Sequence, residues 1–264
     1  MAAIPTHVEE RLRRPAPPAM CIVPGSTPVL SFGPLSTATV ATLGLNPSRD
    51  EFLDLDGSEL QGNNRRLATL TSLSTTDLSL VHTNTLLQIV NDYETYFGRK
   101  PYHHWFDQLD YILAACGASY YNGSACHLDL IQWATDPKWS RLNRSVRSTL
   151  LEADAPFLAK QLSNSQVRVL LINGKAVFKQ FQSRFGTLNE EPPIVLNSGE
   201  KSDLWSGTVL GTVRVIAWSR NLQSSFGVTS EFRAALRDRV AVLAKKLLSE
   251  SKIAERTTER PAAK

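Results

Sequence analysis

The stretch TVATLGLNPS, residues 39–48, sets the fold that we expect for this chain. Its first half is a short apolar run rich in β-branched residues, which is typical of a buried β-strand. Its second half is a turn, in which Pro47 fixes φ and Gly44 lets a ligand approach the backbone closely. The sequence therefore predicts a strand that ends in a sharp turn carrying Asn46. The alternative is a turn that only connects a strand to a helix.

Three further short apolar runs end in turn residues in the same way. They cover residues 125–131, 167–172 and 212–217. Helical patterns separate the runs, one ending near Gly117 and others covering 146–162 and 231–248. Buried strands that alternate with helices indicate a parallel sheet covered on both sides. We therefore expect an α/β fold, a three-layer α/β/α sandwich around a short parallel sheet.

Polar residues follow each of these four runs. Ligands of such sheets bind beyond the carboxyl ends of the strands, so we expect these polar residues to converge on one crevice. They are Asn46 with Pro47 and Ser48, Asp129, Asn173 with Lys175, and the stretch from Ser219 to Gln223.

The composition fits a globular protein and excludes several other classes. The chain has 264 residues, a net charge of +4 and an apolar share of 42%. These values suit one large domain and exclude a disordered chain, a collagen-like fibre and a coiled coil. We expect a Pro-rich arm over residues 1–35, a domain over 36–248 with an insertion at 53–101, and a flexible tail over 249–264.

The sequence predicts neither a membrane span nor a metal or cofactor site. No apolar run is long enough to cross a bilayer, and the amino terminus lacks the apolar region of a signal peptide. The three cysteines are too few for a four-thiolate cluster, and no zinc-ligand spacing occurs. Motifs for dinucleotides, nucleoside triphosphates, serine hydrolases and zincins are also missing. We expect a monomer in a reducing cytoplasm.

Four segments carry the resemblance of this chain to a known family. They are GLNPS at 44–48, LDLIQWAT at 128–135, LLINGK at 170–175 and SRNLQS at 219–224. In this order they resemble the motifs of the uracil-DNA glycosylase superfamily, particularly its mismatch-specific and single-strand-selective branches. The resemblance spans roughly residues 36–248.

The resemblance implies a fold and a reaction. The fold would be that of the uracil-DNA glycosylases, and the reaction would be hydrolysis of the N-glycosidic bond to a base flipped out of DNA. Asn46 would hold the attacking water through its side-chain oxygen, and the product would be an abasic site without a Schiff base. Asp50 or Glu51 could supply a general base, although both also suit a solvated helix N-terminus.

Asp129 departs from the family pattern in a way that bears on the substrate. Uracil-removing members often have Asn at this position, whereas an ionised Asp offers only acceptors. A carboxylate accepts from an exocyclic amine, so we expect Asp129 to read a cytosine-type base. The alternative is that Asp129 caps the following turn or pairs with Arg141 or Arg144.

Two further features favour a modified base. The fourth motif lacks the histidine that helps some members stabilise the departing uracil, and the insertion carries donors suited to phosphates or a sugar. These donors are Gln61, Asn63, Asn64, Arg65 and Arg66. One branch of the superfamily removes glucosylated hydroxymethylcytosine from viral DNA as an antiviral defence, and this chain fits that use.

Other functions remain open at this point. They are uracil or mismatch repair, a non-catalytic DNA-binding module of the same fold, and an unrelated α/β hydrolase of small nucleosides. The insertion also suits a structural lid.

The remaining motif residues suit contacts with DNA. Gly174 and Lys175 at a helix N-terminus suit a phosphate. Leu222 or Gln223 would fill the gap left by the flipped base, and Phe52 would either stack on that base or lie in the core. Flanking phosphates would be contacted by Arg220, Ser224 and Ser225, and four tryptophans are expected in the core or a lid, namely Trp133, Trp139, Trp205 and Trp218.

Overall fold

A computed structural model describes residues 4–17, 21–224 and 227–258. Within these ranges the helices are α1 (Thr6–Arg13), α2 (Thr83–Glu94), α3 (His103–Leu113), α4 (Arg144–Ser163), α5 (Lys175–Phe185) and α6 (Ser230–Thr258). The strands are β1 (Val40–Gly44), β2 (Ala125–Asp129), β3 (Val169–Asn173), β4 (Asn189–Val195), β5 (Lys201–Val209) and β6 (Val213–Trp218). Ser225 lies outside the described residues, so its expected phosphate contact has no structural counterpart here.

The strands form one sheet in the order β2-β1-β3-β6-β5-β4. Four of these strands, β2, β1, β3 and β6, are parallel to one another. They coincide with the four apolar runs of the sequence to within a few residues at each end. The prediction of an α/β fold is therefore confirmed, and these are the strands that position the site.

The expectation of a purely parallel sheet is wrong at one edge, because β4 and β5 are antiparallel. β4 contains Pro192 and Pro193 and is interrupted by a register shift between Glu191 and Ile194. Proline cannot donate to a β-ladder, so the sequence of β4 reads as a loop and is tolerated only at the sheet edge.

Helices cover both faces of the sheet. One apolar core contains Leu86 of α2, Leu109 of α3 and Leu236 of α6. A second core contains Leu158 of α4 and Phe181 of α5. Four tryptophans are expected in the core or a lid. Trp133, Trp205 and Trp218 are buried, and Trp139 packs against the core from a partly exposed position.

The amino-terminal segment, expected as a Pro-rich arm, packs against the domain. Arg11 of α1 forms a buried ion pair of 2.9 Å with Asp154 of α4, and burial lowers the pKa of Arg11 to about 10. Further along, the backbone of Phe32 exchanges hydrogen bonds with that of His127 in β2. The segment therefore covers the edge of the sheet beside β2. At the other terminus, α6 extends to Thr258, past the expected boundary at residue 248.

Candidate active site

The carboxyl ends of the four parallel strands meet at one edge of the sheet. Gly44 of β1 pairs in register with Asp129 of β2, and Asn173 of β3 pairs with Trp218 of β6. The structure therefore brings the predicted polar residues together along this edge. We call the side with Gly44 and Asp129 the β1–β2 half, and the side with Asn173 and Trp218 the β3–β6 half.

Gly44 is required by the close approach of two side chains. A Cβ atom at this position would overlap Oδ1 of Asp129 and would lie 2.9 Å from Nε2 of His127. Both side chains lie against the backbone of Gly44. A residue with a side chain would therefore not fit at the end of β1 without displacing them.

Asn46 lies just beyond β1 with its side chain held by one atom only. Its Nδ2 donates to the carbonyl oxygens of Pro47 and Trp133 and to Oγ1 of Thr135, at 3.0, 3.3 and 3.2 Å. Across the described part of the chain, no group donates a hydrogen bond to Oδ1 of Asn46. The amide oxygen is therefore an oriented acceptor with free capacity.

The turn after Asn46 carries the carboxyl group of Glu51 into the interior. Ser48 accepts a hydrogen bond of 3.2 Å from the backbone N–H of Asp50 and begins a 3₁₀ turn over Arg49–Glu51. Phe52 follows and is buried in the core, so in this conformation it is not accessible to stack on a base.

Glu51 is 3% exposed, which excludes the alternative of a solvated helix N-terminus for this residue. Tyr96 donates a hydrogen bond of 2.8 Å to Oε2 of Glu51, and Nη1 of Arg66 lies 4.0 Å from the same oxygen. Burial raises the pKa of Glu51 to about 7, and the negative charges of Asp50 and Asp129 add to this rise against the opposing effects of Tyr96 and Arg66. A carboxyl group with such a pKa can exchange a proton near neutral pH.

Asp129 is 4% exposed and forms no ion pair with either of the two arginines that were the alternative partners expected from the sequence. Arg141 and Arg144 are exposed, and within the described ranges neither pairs with Asp129. Its only charged or polar side-chain contact there is Nε2 of His127, 3.4 Å from Oδ1. The carboxylate therefore retains capacity to accept hydrogen bonds from a ligand.

His127 belongs to this site and was missed by the sequence reasoning. It is buried, and its Nδ1 lies 2.6 Å from Oγ1 of Thr42, which is in turn hydrogen-bonded to the hydroxyl of Tyr120. The available signal was the strand period of two, which puts His127 and Asp129 on the same face of β2.

In the β3–β6 half, Asn173 uses both ends of its amide within the protein. Its Oδ1 accepts from the indole N–H of Trp218 and the backbone N–H of Leu222, at 3.1 and 3.0 Å. Its Nδ2 donates to side-chain oxygens of Asn221 and Gln223. Asn173 therefore holds the loop after β6 in place, which is a structural role.

The loop over residues 219–224 is folded back onto the protein. Leu222, expected to be a wedge, is 2% exposed and lies in the core. Gln223, the other candidate, donates to the carbonyl oxygen of Trp105 at 2.9 Å. In this conformation neither side chain is free to enter a base stack.

The polar residues at the base of this loop also have protein partners. Oγ of Ser219 accepts from the backbone N–H of Asp203 at 2.9 Å, and Arg220 donates to Glu200 at 2.9 Å. The backbone N–H of Ser224 donates to the carbonyl oxygen of Asn221.

The helix N-terminus at α5 is occupied in the same way. The backbone N–H groups of Gly174 and Lys175 donate to the carbonyl oxygens of Trp218 and Ser219, at 3.1 and 2.9 Å. The ammonium group of Lys175 lies 3.5 Å from Asp203. The two N–H groups expected to bind a phosphate are therefore already used.

Of the donors in the insertion, Arg66 is the one next to the β1–β2 half. Its guanidinium lies over the ring of Tyr102, and within the described ranges its buried Nε and Nη1 atoms have no hydrogen-bond partner. Arg65 instead pairs with Asp92, and Asn64 accepts from Lys100. Gln61 and Asn63 are exposed.

A scan against protein families found no matching family model, and a search of curated proteins found no match. No helix in the described part of the chain is both long and apolar enough to cross a membrane. In the same residues, no group of three or more His, Cys, Asp or Glu side chains is arranged to hold a metal ion.

Proposed function

We propose that this chain is a monofunctional DNA glycosylase that hydrolyses the N-glycosidic bond of a flipped, cytosine-type base. The observation that carries the proposal is the set of acceptors in the β1–β2 half. Oδ1 of Asn46 lies just beyond β1 and the carboxylate of Asp129 lies at the end of β2, and the buried carboxyl of Glu51 is near enough to Asp129 for that negative charge to raise its pKa.

In the proposed reaction, water attacks C1′ of the sugar while the bond from C1′ to the base nitrogen breaks. Asn46 accepts a hydrogen bond from the water and orients it, and the carboxylate of Glu51 takes its proton. The electron pair of the broken bond leaves with the base, which then takes up a proton. The products are the free base and an abasic site, and no amine of the protein is consumed.

Asp129 is proposed to recognise the base. An ionised carboxylate has only acceptors, so it can bind an exocyclic amine of a cytosine-type ring but repels the O4 carbonyl of uracil. Glucosylated hydroxymethylcytosine of viral DNA is the substrate that we favour within this class, which would make the protein an antiviral defence.

Arg66 is the candidate for a contact with the DNA backbone. Its side chain is 20% exposed and its Nη1 lies 4.0 Å from Glu51, and the exposed part of an arginine guanidinium suits a phosphate. The positive charge of Arg66 also partly compensates the negative charge of Glu51 before the water is deprotonated.

One set of observations favours a second candidate, an N-glycoside hydrolase of free nucleosides. Lys175 and Arg220, the basic residues of the β3–β6 half, are both paired with carboxylates. With Leu222 buried as well, this half offers a duplex few contacts. Such an enzyme would use the same three acceptors on a small substrate.

The test is an abasic-site assay with purified protein on DNA that contains uracil, cytosine, hydroxymethylcytosine or glucosylated hydroxymethylcytosine. We expect alkali-sensitive breaks with a cytosine-type base, and a loss of about 10²–10³-fold in Asn46→Ala with DNA affinity retained. Asn91→Ala, an exposed asparagine on α2, is the matched control and should keep full activity.

Each other outcome selects a different function. Breaks with uracil alone would make the protein a repair enzyme and contradict the role given to Asp129. Base release from free nucleosides without breaks in any DNA would favour the second candidate. DNA binding with no base release from any substrate would leave a non-catalytic binding module.

A further inference from the structure

A buried chain of three polar side chains leads from the core to Asp129. The hydroxyl of Tyr120 is hydrogen-bonded to Oγ1 of Thr42, which lies 2.6 Å from Nδ1 of His127. On the far side of its ring, Nε2 of His127 lies 3.4 Å from Oδ1 of Asp129. All four residues are buried.

The protons along this chain have one favourable direction. Within the described residues, Thr42 is the only hydrogen-bond partner of the Tyr120 hydroxyl. A buried O–H without an acceptor is costly, so Tyr120 donates to Thr42. Burial also raises the pKa of Tyr120 well above its ordinary value, which keeps the phenol protonated.

The direction is passed on to the histidine. Because Thr42 accepts from Tyr120, its own proton is directed to Nδ1 of His127, which must then be an acceptor. A neutral imidazole that accepts at Nδ1 carries its proton on Nε2, the atom that faces Asp129. The rings of Phe32, Trp105 and Phe106 pack around His127.

We infer that Tyr120, Thr42 and His127 form a positioning relay that directs the Nε2 proton of His127 at Asp129, so that Asp129 meets the ligand as a hydrogen-bond acceptor, and that this relay gives the site its preference for an amino group over a carbonyl. The inference rests on the proposed function, in which Asp129 reads the base. The three residues act through Asp129 and do not touch the substrate.

Breaking the relay has a defined chemical consequence. Without the N–H of His127, no donor among the described residues faces the buried carboxyl of Asp129, which is then open to a donor of the ligand or to a proton. A protonated carboxyl offers an O–H donor, which suits the O4 carbonyl of a uracil-type base. Selectivity should therefore shift from amine-bearing towards carbonyl-bearing bases.

The first measurement is the tautomer of His127, obtained from long-range ¹H–¹⁵N NMR spectra of the full chain. We expect Nε2 to be protonated and Nδ1 to be unprotonated. In His127→Phe the imidazole signal should disappear, which assigns it to His127. In Thr42→Val the same signal should shift, which assigns it independently. A proton on Nδ1 in the wild-type protein would overturn the inference, whatever the activity.

The second measurement is selectivity between 5-hydroxymethylcytosine and 5-hydroxymethyluracil, which differ at the exocyclic group that Asp129 would read. We expect His127→Phe to lower the ratio of kcat/KM for these two bases by about tenfold to a hundredfold. Thr42→Val should lower the ratio as well. Thr42→Ser, which keeps the hydroxyl group, should leave the ratio close to the wild-type value. Tyr121→Phe is the control for an exposed tyrosine next in sequence.

Failure of the relay and failure of the proposed function give different results. A folded His127→Phe protein with a ratio within twofold of wild type would overturn the relay while leaving the glycosylase intact. A wild-type protein without turnover on any DNA would overturn the function. Binding of the two free bases, followed through the Nε2 signal of His127, then tests the relay directly: equal binding would overturn it, and preference for the amine would support it.

Discussion

The β1–β2 half and the β3–β6 half of the site occupy the same sheet edge but use their polar groups differently. In the β3–β6 half, Asn173 donates and accepts only within the protein, and Lys175 faces Asp203. In the β1–β2 half, and among the residues that the structure describes, Oδ1 of Asn46 accepts no hydrogen bond and the side chain of Asp129 faces only His127. Polar residues after parallel strands therefore mark a candidate site. A donor or acceptor that has no partner within the protein then distinguishes a candidate binding residue from a structural one.

The energetic reason is that buried polar groups without partners are costly. An unsatisfied buried donor or acceptor costs about 1–3 kcal/mol, and a buried charge costs more. A fold that keeps the carboxyl groups of both Glu51 and Asp129 buried accepts such a cost. The β3–β6 half accepts no comparable cost, because its amides are satisfied.

The largest expected effect is the loss of turnover in Glu51→Gln. If Glu51 takes the proton of the attacking water, the amide cannot replace it, and kcat should fall by about 10²–10⁴-fold. The wild-type rate should rise with pH towards about 7, the pKa to which burial raises Glu51, and this dependence should vanish in the variant. Steady-state kinetics over a range of pH values provide the check.

Asp50→Asn is the matched control for that variant. Asp50 is the neighbouring carboxylate, and its side chain is 39% exposed, so it lacks the buried environment of Glu51. We expect a change in kcat of less than about threefold, since exposed charges interact weakly. Equal losses in both variants would assign the effect to the turn rather than to a general base.

The second largest effect concerns stability against pH. A carboxyl group whose folded-state pKa is raised holds its proton more tightly in the folded state, so its contribution is largest at low pH. Stability should fall as pH rises from the ordinary Glu value of 4.5 to about 7, by about 3 kcal/mol, and then level off. Urea unfolding should show this slope in the wild type and a flatter profile in Glu51→Gln. An identical profile in both would mean that Glu51 titrates normally.

Part of this architecture could be predicted from the sequence. The four parallel strands were found because their apolar runs end in turn residues, and their common edge follows from parallel geometry. The β4–β5 pair could not be found, because Pro192 and Pro193 hide an edge strand. An edge strand is decided by its neighbour rather than by its own pattern.

The differences between the expected and the observed site residues come from contacts with residues that are distant in sequence. Glu51 follows Asp50 at a helical turn, which is typical of a solvated N-terminus, and only the tertiary contact with Tyr96 reveals it as buried. Leu222 suited an exposed wedge, but its backbone N–H is drawn to Asn173 and its side chain enters the core. In both cases the partner is distant in sequence, and no local pattern encodes it.

The third prediction tests the structural role of the β3–β6 half. Asn173→Ala removes the acceptor of the buried Trp218 indole N–H and the donor that holds Gln223. Leaving such groups unpaired should lower the free energy of unfolding by about 2–3 kcal/mol. Chemical denaturation measures this change, and the fraction of protein that remains folded should keep most of its turnover. A stable protein with abolished turnover would move Asn173 into the catalytic machinery.

The smallest expected effect separates the basic residues of the two halves. Lys175 is exposed and faces Asp203, so Lys175→Gln should change stability by less than about 0.5 kcal/mol and leave DNA affinity within about twofold. Arg66→Gln should instead weaken DNA binding and reduce the salt dependence by about one phosphate contact, because the Arg66 side chain is partly exposed and its guanidinium is 4.0 Å from the carboxylate of Glu51. Affinity titrations over a range of salt concentrations distinguish the two. A reduced slope in Lys175→Gln alone would reverse the assignment, because Lys175 would then leave Asp203 for a phosphate and the β3–β6 half would bind DNA after all.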